Sequence, residues 1–294
     1  MTAAHGYLIF LCLIWGLTFP LVQIALEDAS PFAFLAVRFA IAVLIFPAFA
    51  WKRVFRLNGD LLRKGLGLGL LLFGGFAFQT FGLAHTTADR AAFITGLFVP
   101  FTPLFAWLLF RERIVGRLWI AVTLAFIGLV TMSWPESGGA LNIGDVFVFC
   151  CAVIFALQVV MVDRWVNHDN EDQLTWLGFL FTLVAALLFL PFVPVHFNPT
   201  APLIWILLYC AIPGLAFAIW MQLRYQPKIS STAAAVIYAT EPIFASLAAW
   251  AIQDHFPQTR TLVGAVFIVA AMLLSVPVKK VIANATEAFA SARK

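Results

Sequence analysis

The sequence predicts an all-α integral membrane protein with ten transmembrane helices, arranged as two inverted five-helix repeats. Composition, the placement of basic residues and internal similarity together predict this fold. Hydrophobic residues make up 63% of the 294 positions, charged residues make up 11%, and the mean hydropathy is +0.98. A soluble domain carries about 25% charged residues. This composition excludes a soluble globular domain, and disorder requires low hydrophobicity, so it is excluded as well.

Ten apolar segments can be marked along the chain, each close to the roughly 20 residues that a helix needs to cross the hydrocarbon core. Stretches such as 65–84 and 179–193 are apolar on every face, which argues against a transmembrane β-barrel with alternating strands. The segments cover approximately 6–26, 31–50, 65–84, 89–110, 116–133, 141–162, 173–193, 202–223, 229–250 and 258–278.

The basic residues test this segmentation. If the N-terminus is cytoplasmic, 15 of the 18 Lys and Arg residues fall in cytoplasmic connections or in the C-terminal tail. Arg90 and Arg260 lie outside, and Arg38 lies within the second span. Positive charge marks the cytoplasmic side, so we expect a plasma (inner) membrane protein with both termini in the cytoplasm. The formal net charge of +4 is explained by these topology signals, and no nucleic-acid partner is predicted.

Internal similarity predicts the repeats. Pro100 and Ala91-Ala92 align with Pro242 and Ala233-Ala234 at an offset of 142, and the first and sixth spans align at an offset of 140. Five spans per copy is an odd number, so the copies cross the membrane in opposite senses, as in many secondary transporters. The first repeat is predicted to cover residues 1–138, the second 139–278, and a cytoplasmic tail 279–294.

Two charged residues lie well inside the predicted spans, where charges are costly and usually face a cavity. Glu241 stands beside Pro242 in the ninth span, and this proline interrupts the helical hydrogen bonds. Such a carboxylate can bind an ammonium group or a proton; alternatively, it pairs with Arg38 or is protonated and bonded to a neighbouring helix. Arg38, Pro100 and Pro242 are assigned structural or helix-breaking roles.

Further polar and aromatic side chains within the spans of both halves form the candidate substrate site. A site at the repeat interface needs contributions from both halves, and aromatic walls are usual for small-molecule pockets. The simpler explanation for any one of them is helix–helix hydrogen bonding or packing. With Glu241, the candidate residues are Trp15, Thr18, Phe78, Gln79, Thr80, Thr95, Phe98, Gln158, Trp220, Gln222 and Tyr238.

Other chemistry finds little support in the sequence. The four cysteines lie inside apolar segments without CxxC spacing, so we interpret them as buried hydrophobic residues. No phosphate-binding GxxxxGK[ST] loop and no HExxH or GxSxG motif occurs. We therefore expect no catalytic residues, no metal and no cofactor. The expected partners are a small-molecule substrate and the lipid bilayer, with no obligatory protein partner.

Several motifs resemble those of the EamA-type drug/metabolite transporters, and the resemblance covers about residues 6–278. Within that family, the run at 97–103 is similar to the YddG-type exporters of aromatic amino acids. The resemblance implies a basket of two inverted repeats around a central cavity, lined mainly by spans 1, 3, 4, 6, 8 and 9. The motifs are IWGLTFP at 14–20, Arg38, Pro100 to Glu112, Glu241-Pro242 to Asp254, and LFVPFTP at 97–103.

The functional hypothesis is a secondary transporter that exports small metabolites, with amino acids and especially aromatic ones favoured, by alternating access around the central cavity. A broad exporter of amphipathic drugs or other metabolites is the first alternative. An intramembrane enzyme is a remote alternative, because no nucleophile–base pair or metal set occurs at one depth. A receptor or scaffold without transport is a further alternative, and the duplicated polar interior argues against it.

Overall fold

The computed structural model of the chain describes residues 3–133, 142–253 and 259–275, and their regular structure is helical. Seven segments are long and apolar enough to cross a membrane, and two shorter apolar helices cover the predicted fifth and tenth spans. The helices that form the ten spans are Ala3–Asp28, Pro31–Val54, Gly59–Leu83, Ala88–Gly96 with Phe98–Phe110, Gly116–Ser133, Ile143–Trp165, Glu171–Phe189, Ala201–Ala211 with Ala218–Tyr225, Ser231–Tyr238 with Glu241–Gln253, and Thr259–Ser275.

The same helix pairings occur in both halves. The third span packs against the sixth and seventh, and the eighth packs against the first and second. The fourth span packs against the sixth, and the ninth packs against the first. The fifth and tenth spans pack against each other. These pairings are related by exchanging the two five-helix sets, and the predicted all-α membrane fold of two inverted repeats is confirmed.

Local capping is repeated as well. Thr87 caps the first helix of the fourth span by accepting a hydrogen bond from the Arg90 backbone N–H. Ser230 caps the first helix of the ninth span in the same way, with Ala233 as the donor. A side-chain oxygen at this position satisfies a backbone donor that the first helical turn leaves free. The sequence therefore encodes the start of these two spans with the same device.

A glycine pair allows the fifth and tenth spans to approach closely. A Cβ built on Gly128 would lie 2.7 Å from the Gly264 carbonyl oxygen, and one built on Gly264 would lie 2.7 Å from the Met132 backbone nitrogen. Neither position has room for a side chain. Small residues at a crossing favour helix association within lipid, where packing replaces the hydrophobic effect.

The eighth span contains a π-helical segment over Ile212–Phe217 between its two α-helical parts. Pro213 lacks a backbone N–H, so the regular hydrogen-bond ladder cannot continue through it. The Trp15 indole N–H donates to the Gly214 carbonyl at 3.0 Å, and the Arg38 Nε donates to the Cys210 carbonyl at 2.9 Å. Side chains from the first two spans thus bond to carbonyls around this irregular segment.

The predicted boundary between the repeats, at residues 138 and 139, lies outside the described residues. So do the predicted tail 279–294 and Asp254. The two boundary positions therefore remain predictions.

Candidate functional site

A pocket of about 50 Å³ lies in the interior between the two halves. Seven residues from each half line it, and they come from the first, third, fourth, sixth, eighth and ninth spans. These are the six spans that the family resemblance implied. The lining residues are Trp15, Thr18, Leu72, Phe76, Gln79, Thr95, Phe98, Phe155, Gln158, Val159, Ile219, Gln222, Tyr238 and Glu241.

Most of these residues occupy equivalent positions in the two repeats. Residues of the first and sixth spans pair at a separation of 140 positions, and residues of the other four spans pair at a separation of 143. For the fourth and ninth spans this corrects the offset of 142 that aligned the two prolines, because the capping residues Thr87 and Ser230 are 143 positions apart. The pairs are Trp15 with Phe155, Thr18 with Gln158, Phe76 with Ile219, Gln79 with Gln222, Thr95 with Tyr238, and Phe98 with Glu241. Equivalent residues of the two repeats therefore face the same pocket.

The structure brings nine of the twelve predicted substrate-site residues into this pocket. The three that lie elsewhere are Phe78, Thr80 and Trp220. On the third span the pocket is lined by Leu72, Phe76 and Gln79, which share one helical face. Because each residue turns a helix by about 100°, Phe78 falls on another face, whereas Thr80, four residues after Phe76, lies at the edge of this face without lining the pocket.

These three residues are accommodated elsewhere in the protein. Phe78 stacks on Phe147 of the sixth span with ring centroids 5.9 Å apart, and Thr80 is buried. The Trp220 indole donates to Asp172 Oδ1 at 2.9 Å, on a different face of the eighth span from Ile219.

A buried hydrogen-bond network forms the polar wall of the pocket. Gln158 and Gln222 exchange amide hydrogen bonds of 3.3 and 3.1 Å between the sixth and eighth spans. Gln226 accepts from Gln222 Nε2 at 3.0 Å and from the Tyr238 hydroxyl at 3.1 Å, and it donates to the Val159 carbonyl at 2.7 Å. All four network side chains belong to the second half, and each is at most 3% exposed.

Sequence reasoning missed Gln226, which connects the members of this network. The residue lies in a short 3₁₀ segment, Gln226–Lys228, just beyond the predicted end of the eighth span. Its spacing of four from Gln222 was the available signal, because residues four apart lie on one helical face. The apolar lining residues Leu72, Phe76, Phe155, Val159 and Ile219 were also missed, since apolar side chains in apolar spans carry no distinguishing signal.

The fourth and ninth spans are both interrupted at the pocket. The fourth span breaks at Leu97, between Ala88–Gly96 and Phe98–Phe110. The ninth breaks between Tyr238 and Glu241. Pro100 and Pro242 lie in the first turn of the second helix in each span, where a missing N–H is tolerated. Helix termini inside a membrane are typical of transporter binding sites.

Glu241 begins the second half of the ninth span, and its side chain lines the pocket. Within the described residues its carboxylate has no hydrogen bond or ion pair. The alternative that it pairs with Arg38 does not apply in this conformation. A helix N-terminus favours a negative group at this position. The pocket therefore contains one carboxyl group that is free to meet a ligand.

Arg38 lies close to the pocket without lining it. The side chain is 2% exposed, its guanidinium stacks 4.8 Å from the centroid of the Phe76 ring, and its Nη2 has no hydrogen-bond partner. The assignment to a structural role agrees with its bond to Cys210, but that bond uses only one of five N–H donors.

Polar and aromatic contacts connect neighbouring spans at both ends of the bundle. At the end predicted to face outside, Arg90 pairs with Asp145 at 2.7 Å and Thr86 donates to the same carboxylate at 2.9 Å. At the opposite end, the rings of Tyr7 and Tyr225 stack with centroids 4.1 Å apart. These contacts tie the fourth span to the sixth and the first to the eighth.

A second cavity of about 920 Å³ lies between the second and eighth spans. Phe46, Phe49 and Phe217 line its apolar part, and Arg53 and Asp172 lie at its charged end. Trp220, which was predicted to line the substrate site, lines this second cavity instead. No cluster of three or more metal-ligating side chains occurs in the described part of the chain.

Comparison with known proteins identifies similar transporters. The sequence profile of the EamA-like transporter family matches twice, over residues 2–134 and 142–276. A protein of Archaeoglobus fulgidus named an uncharacterized transporter is 35% identical over 268 residues, which cover 91% of this chain and 83% of that protein. An S-adenosylmethionine uptake transporter of Rickettsia prowazekii is 27% identical over 205 residues, covering 70% of this chain and 68% of that protein.

A solved crystal structure shares the fold. It superimposes with a TM-score of 0.78 at 17% identity and covers 94% of this chain and 97% of its own. At this identity the likeness concerns the fold alone. Each of the two family matches spans one five-helix half, in agreement with the duplicated helix pairings described above.

Proposed function

Because the chain belongs to the EamA-like transporter family, we propose that it exports small metabolites, most favourably amino acids with aromatic side chains. The observation that carries this proposal is the central pocket with its unpartnered Glu241 carboxyl, its glutamine network and its aromatic walls. The nine predicted residues that meet there are proposed to bind substrate. As in the YddG-type exporters that the run at 97–103 resembles, an aromatic amino acid would be the preferred cargo.

An amino acid suits the chemistry of this pocket. The Glu241 carboxyl can accept hydrogen bonds from an ammonium group, and the Gln158 and Gln222 amides offer both donors and acceptors. Trp15, Phe98 and Phe155 provide ring faces and edges against which an aromatic side chain can pack.

Alternating access is proposed from the small size of the pocket. A site for a drug-sized ligand measures roughly 300–1,000 Å³, whereas this pocket measures about 50 Å³. In this conformation it has room for only a few molecules of the size of water. We propose that rocking of the two repeats widens the pocket and opens one end at a time. The Arg90–Asp145 pair and the Tyr7–Tyr225 stack would separate alternately.

The predicted topology completes the proposal. The repeats are proposed to occupy residues 1–138 and 139–278, followed by a tail at 279–294. The protein would reside in the cell inner membrane with both termini in the cytoplasm, as the distribution of Lys and Arg favours. One chain contains both repeats, so a pocket of this kind needs no protein partner to enclose it.

A second candidate cargo comes from the Rickettsia relative. Its name gives S-adenosylmethionine as the compound it takes up. That compound also has an amino and a carboxyl group together with an aromatic ring system, so the same polar and aromatic walls suit it. A broad exporter of amphipathic compounds would instead need little from the polar residues.

Counterflow in proteoliposomes tests the proposed function. Purified protein is reconstituted, the vesicles are loaded with one unlabelled compound, and the labelled form is supplied outside. Transient accumulation with phenylalanine, tryptophan or tyrosine would support the proposal. Accumulation with S-adenosylmethionine alone would favour the second candidate. Accumulation only with cationic dyes would favour the broad exporter, and release of a chemically altered product would revive the enzyme alternative.

A further inference from the structure

The interior contains two ionisable side chains that have no ion-pair partner. Arg38 is 2% exposed, and Glu241 lines the pocket. The ion pairs among the described residues involve neither of them. A charge inside a membrane protein is costly unless it is paired, and a retained unpaired charge indicates a functional site.

Arg38 has hydrogen-bonding capacity to spare. Its Nε is used by the Cys210 carbonyl, and one guanidinium face covers the Phe76 ring. Its Nη2 is buried without a hydrogen-bond partner. A planar guanidinium is the side chain best suited to binding a carboxylate. A structural role at the π-helical segment accounts for Nε and leaves Nη2 unexplained.

The Glu241 backbone and the Arg38 guanidinium both lie near the same turn of the first span. A Cβ built on Gly16 would lie 3.0 Å from the Glu241 carbonyl oxygen. Two residues further along, Thr18 packs against Gly214, where a built Cβ would lie 3.2 Å from Thr18 Cγ2 and 3.7 Å from Arg38 Nη2. Thr18 also lines the pocket. The guanidinium therefore lies directly behind the pocket wall that Thr18 and Phe76 form.

We propose that Arg38 and Glu241 are the two charged poles of a site for a zwitterionic α-amino acid. The ligand carboxylate would bind Arg38 Nη2, its ammonium group would bind the Glu241 carboxyl, and its side chain would pack on Trp15 and Phe98. The proposal rests on the proposed function and makes it specific. It requires the Phe76 ring to move aside when the pocket widens.

Each repeat contributes one pole. Arg38 belongs to the second span of the first half, and Glu241 belongs to the ninth span of the second half. A ligand held by both poles bridges the repeats, so its binding depends on their relative position. An amine or a carboxylic acid alone would meet one pole and leave the other unmatched.

The test measures binding of three ligands of similar size: L-phenylalanine, phenethylamine without the carboxylate, and 3-phenylpropionate without the ammonium group. Affinity is taken from the rise of the unfolding temperature with ligand concentration, which requires no transport. For the unaltered protein we expect phenylalanine to bind at least roughly tenfold more tightly than either analogue, because each pole makes a charge-assisted hydrogen bond.

Variants of Arg38 and Glu241 test which residue binds the carboxylate and which binds the ammonium group of the ligand. In Arg38→Gln, phenylalanine should lose roughly tenfold in affinity while phenethylamine keeps its own, and in Glu241→Gln only 3-phenylpropionate should keep its affinity. Arg53→Gln removes an exposed arginine and should leave all three affinities unchanged. A purely structural Arg38 would weaken all three ligands alike, and that result would overturn the proposal.

Two further outcomes separate this proposal from the proposed function. If phenylalanine binds the unaltered protein no better than both analogues, the two-pole site is wrong while an amino-acid transporter remains. If neither phenylalanine nor any other amino acid binds or is transported, both fail. Should Arg38→Gln not fold, the analogue series on the unaltered protein decides alone.

Discussion

The interrupted fourth and ninth spans use the same backbone arrangement for different chemistry. Both break at the pocket, and both place a proline in the first turn of the second helix. At equivalent positions the first half presents Thr95 and Phe98, and the second half presents Tyr238 and Glu241. The hydroxyl of Thr95 is buried without a partner, whereas that of Tyr238 bonds to Gln226.

This difference indicates a division of work between the repeats, in which each half contributes different chemical groups to the site. The duplicated framework supplies two helix breaks, and the second half supplies the carboxyl group and the glutamine network. The first half supplies aromatic surface through Trp15 and Phe98, together with a guanidinium behind the wall.

The largest effect is expected at the pair Phe98 and Glu241. Glu241→Gln should lower phenylalanine counterflow about a hundredfold, equivalent to roughly 2.7 kcal/mol, because it removes the only carboxyl group among the residues that line the pocket. Phe98→Leu keeps an apolar side chain and should lower it only about threefold. Glu27→Gln, at an exposed carboxylate, serves as the control. Equal losses at both pocket positions would contradict the division of work.

The glycine pair of the fifth and tenth spans should show symmetry instead. Gly128→Ala and Gly264→Ala should each lower the free energy of unfolding by about 1–3 kcal/mol, because the added methyl groups meet backbone atoms of the neighbouring span. Gly6→Ala is the matched control, since nothing lies within 4 Å of its Cβ position. Thermal unfolding in detergent measures all three. A tolerated substitution at either glycine would show that the crossing is looser than described.

A smaller effect is expected at the equivalent glutamines. Gln222→Leu should reduce counterflow roughly tenfold, because in a buried site Gln158 loses its amide partner and Gln226 loses one of its two donors. Gln79 lines the pocket without a hydrogen bond in the described structure. Gln79→Leu should therefore change counterflow by about threefold or less. The reverse order of the two effects would place the polar wall in the first half.

The smallest effect distinguishes the two hydroxyl groups. Tyr238→Phe should destabilise the protein by about 1 kcal/mol, because the Gln226 carbonyl loses a donor. Thr95→Val should leave stability within about 0.5 kcal/mol, because the Thr95 hydroxyl makes no hydrogen bond. The two unfolding temperatures measure this difference directly. A loss on Thr95→Val as large as that on Tyr238→Phe would reveal a bond at Thr95 that this conformation lacks.

The sequence predicts the fold well because composition, charge placement and duplication each carry a physical constraint. Ten spans follow from segment length, and the second helix break is predicted by Pro242 beside Glu241. The angular position of each side chain is harder to predict in spans that are apolar on every face. Phe78, Thr80 and Trp220 show this. Each is adjacent in sequence to a residue that lines the pocket, yet its own side chain lies outside it.

Features that depend on long-range contacts could not be predicted from the sequence. Pro213 marks an irregularity in the eighth span, but the π-helical segment and its bonds to Trp15 and Arg38 require the neighbouring spans. Likewise, whether Arg38 pairs with Glu241 depends on the packing of the second and ninth spans around the first. Gln226 was not predicted as a site residue, because the apolar pattern of the eighth span ends before it.

The central claim is that one pocket between the repeats receives the substrate from both sides of the membrane. Gln79→Cys, in a chain whose four native cysteines are replaced by alanine, places one reactive thiol in that pocket. A membrane-impermeant maleimide, applied to one side of sealed vesicles at a time, should label this thiol from either side, and phenylalanine should protect it. Labelling from one side only, unaffected by phenylalanine or any other transported compound, would contradict the account.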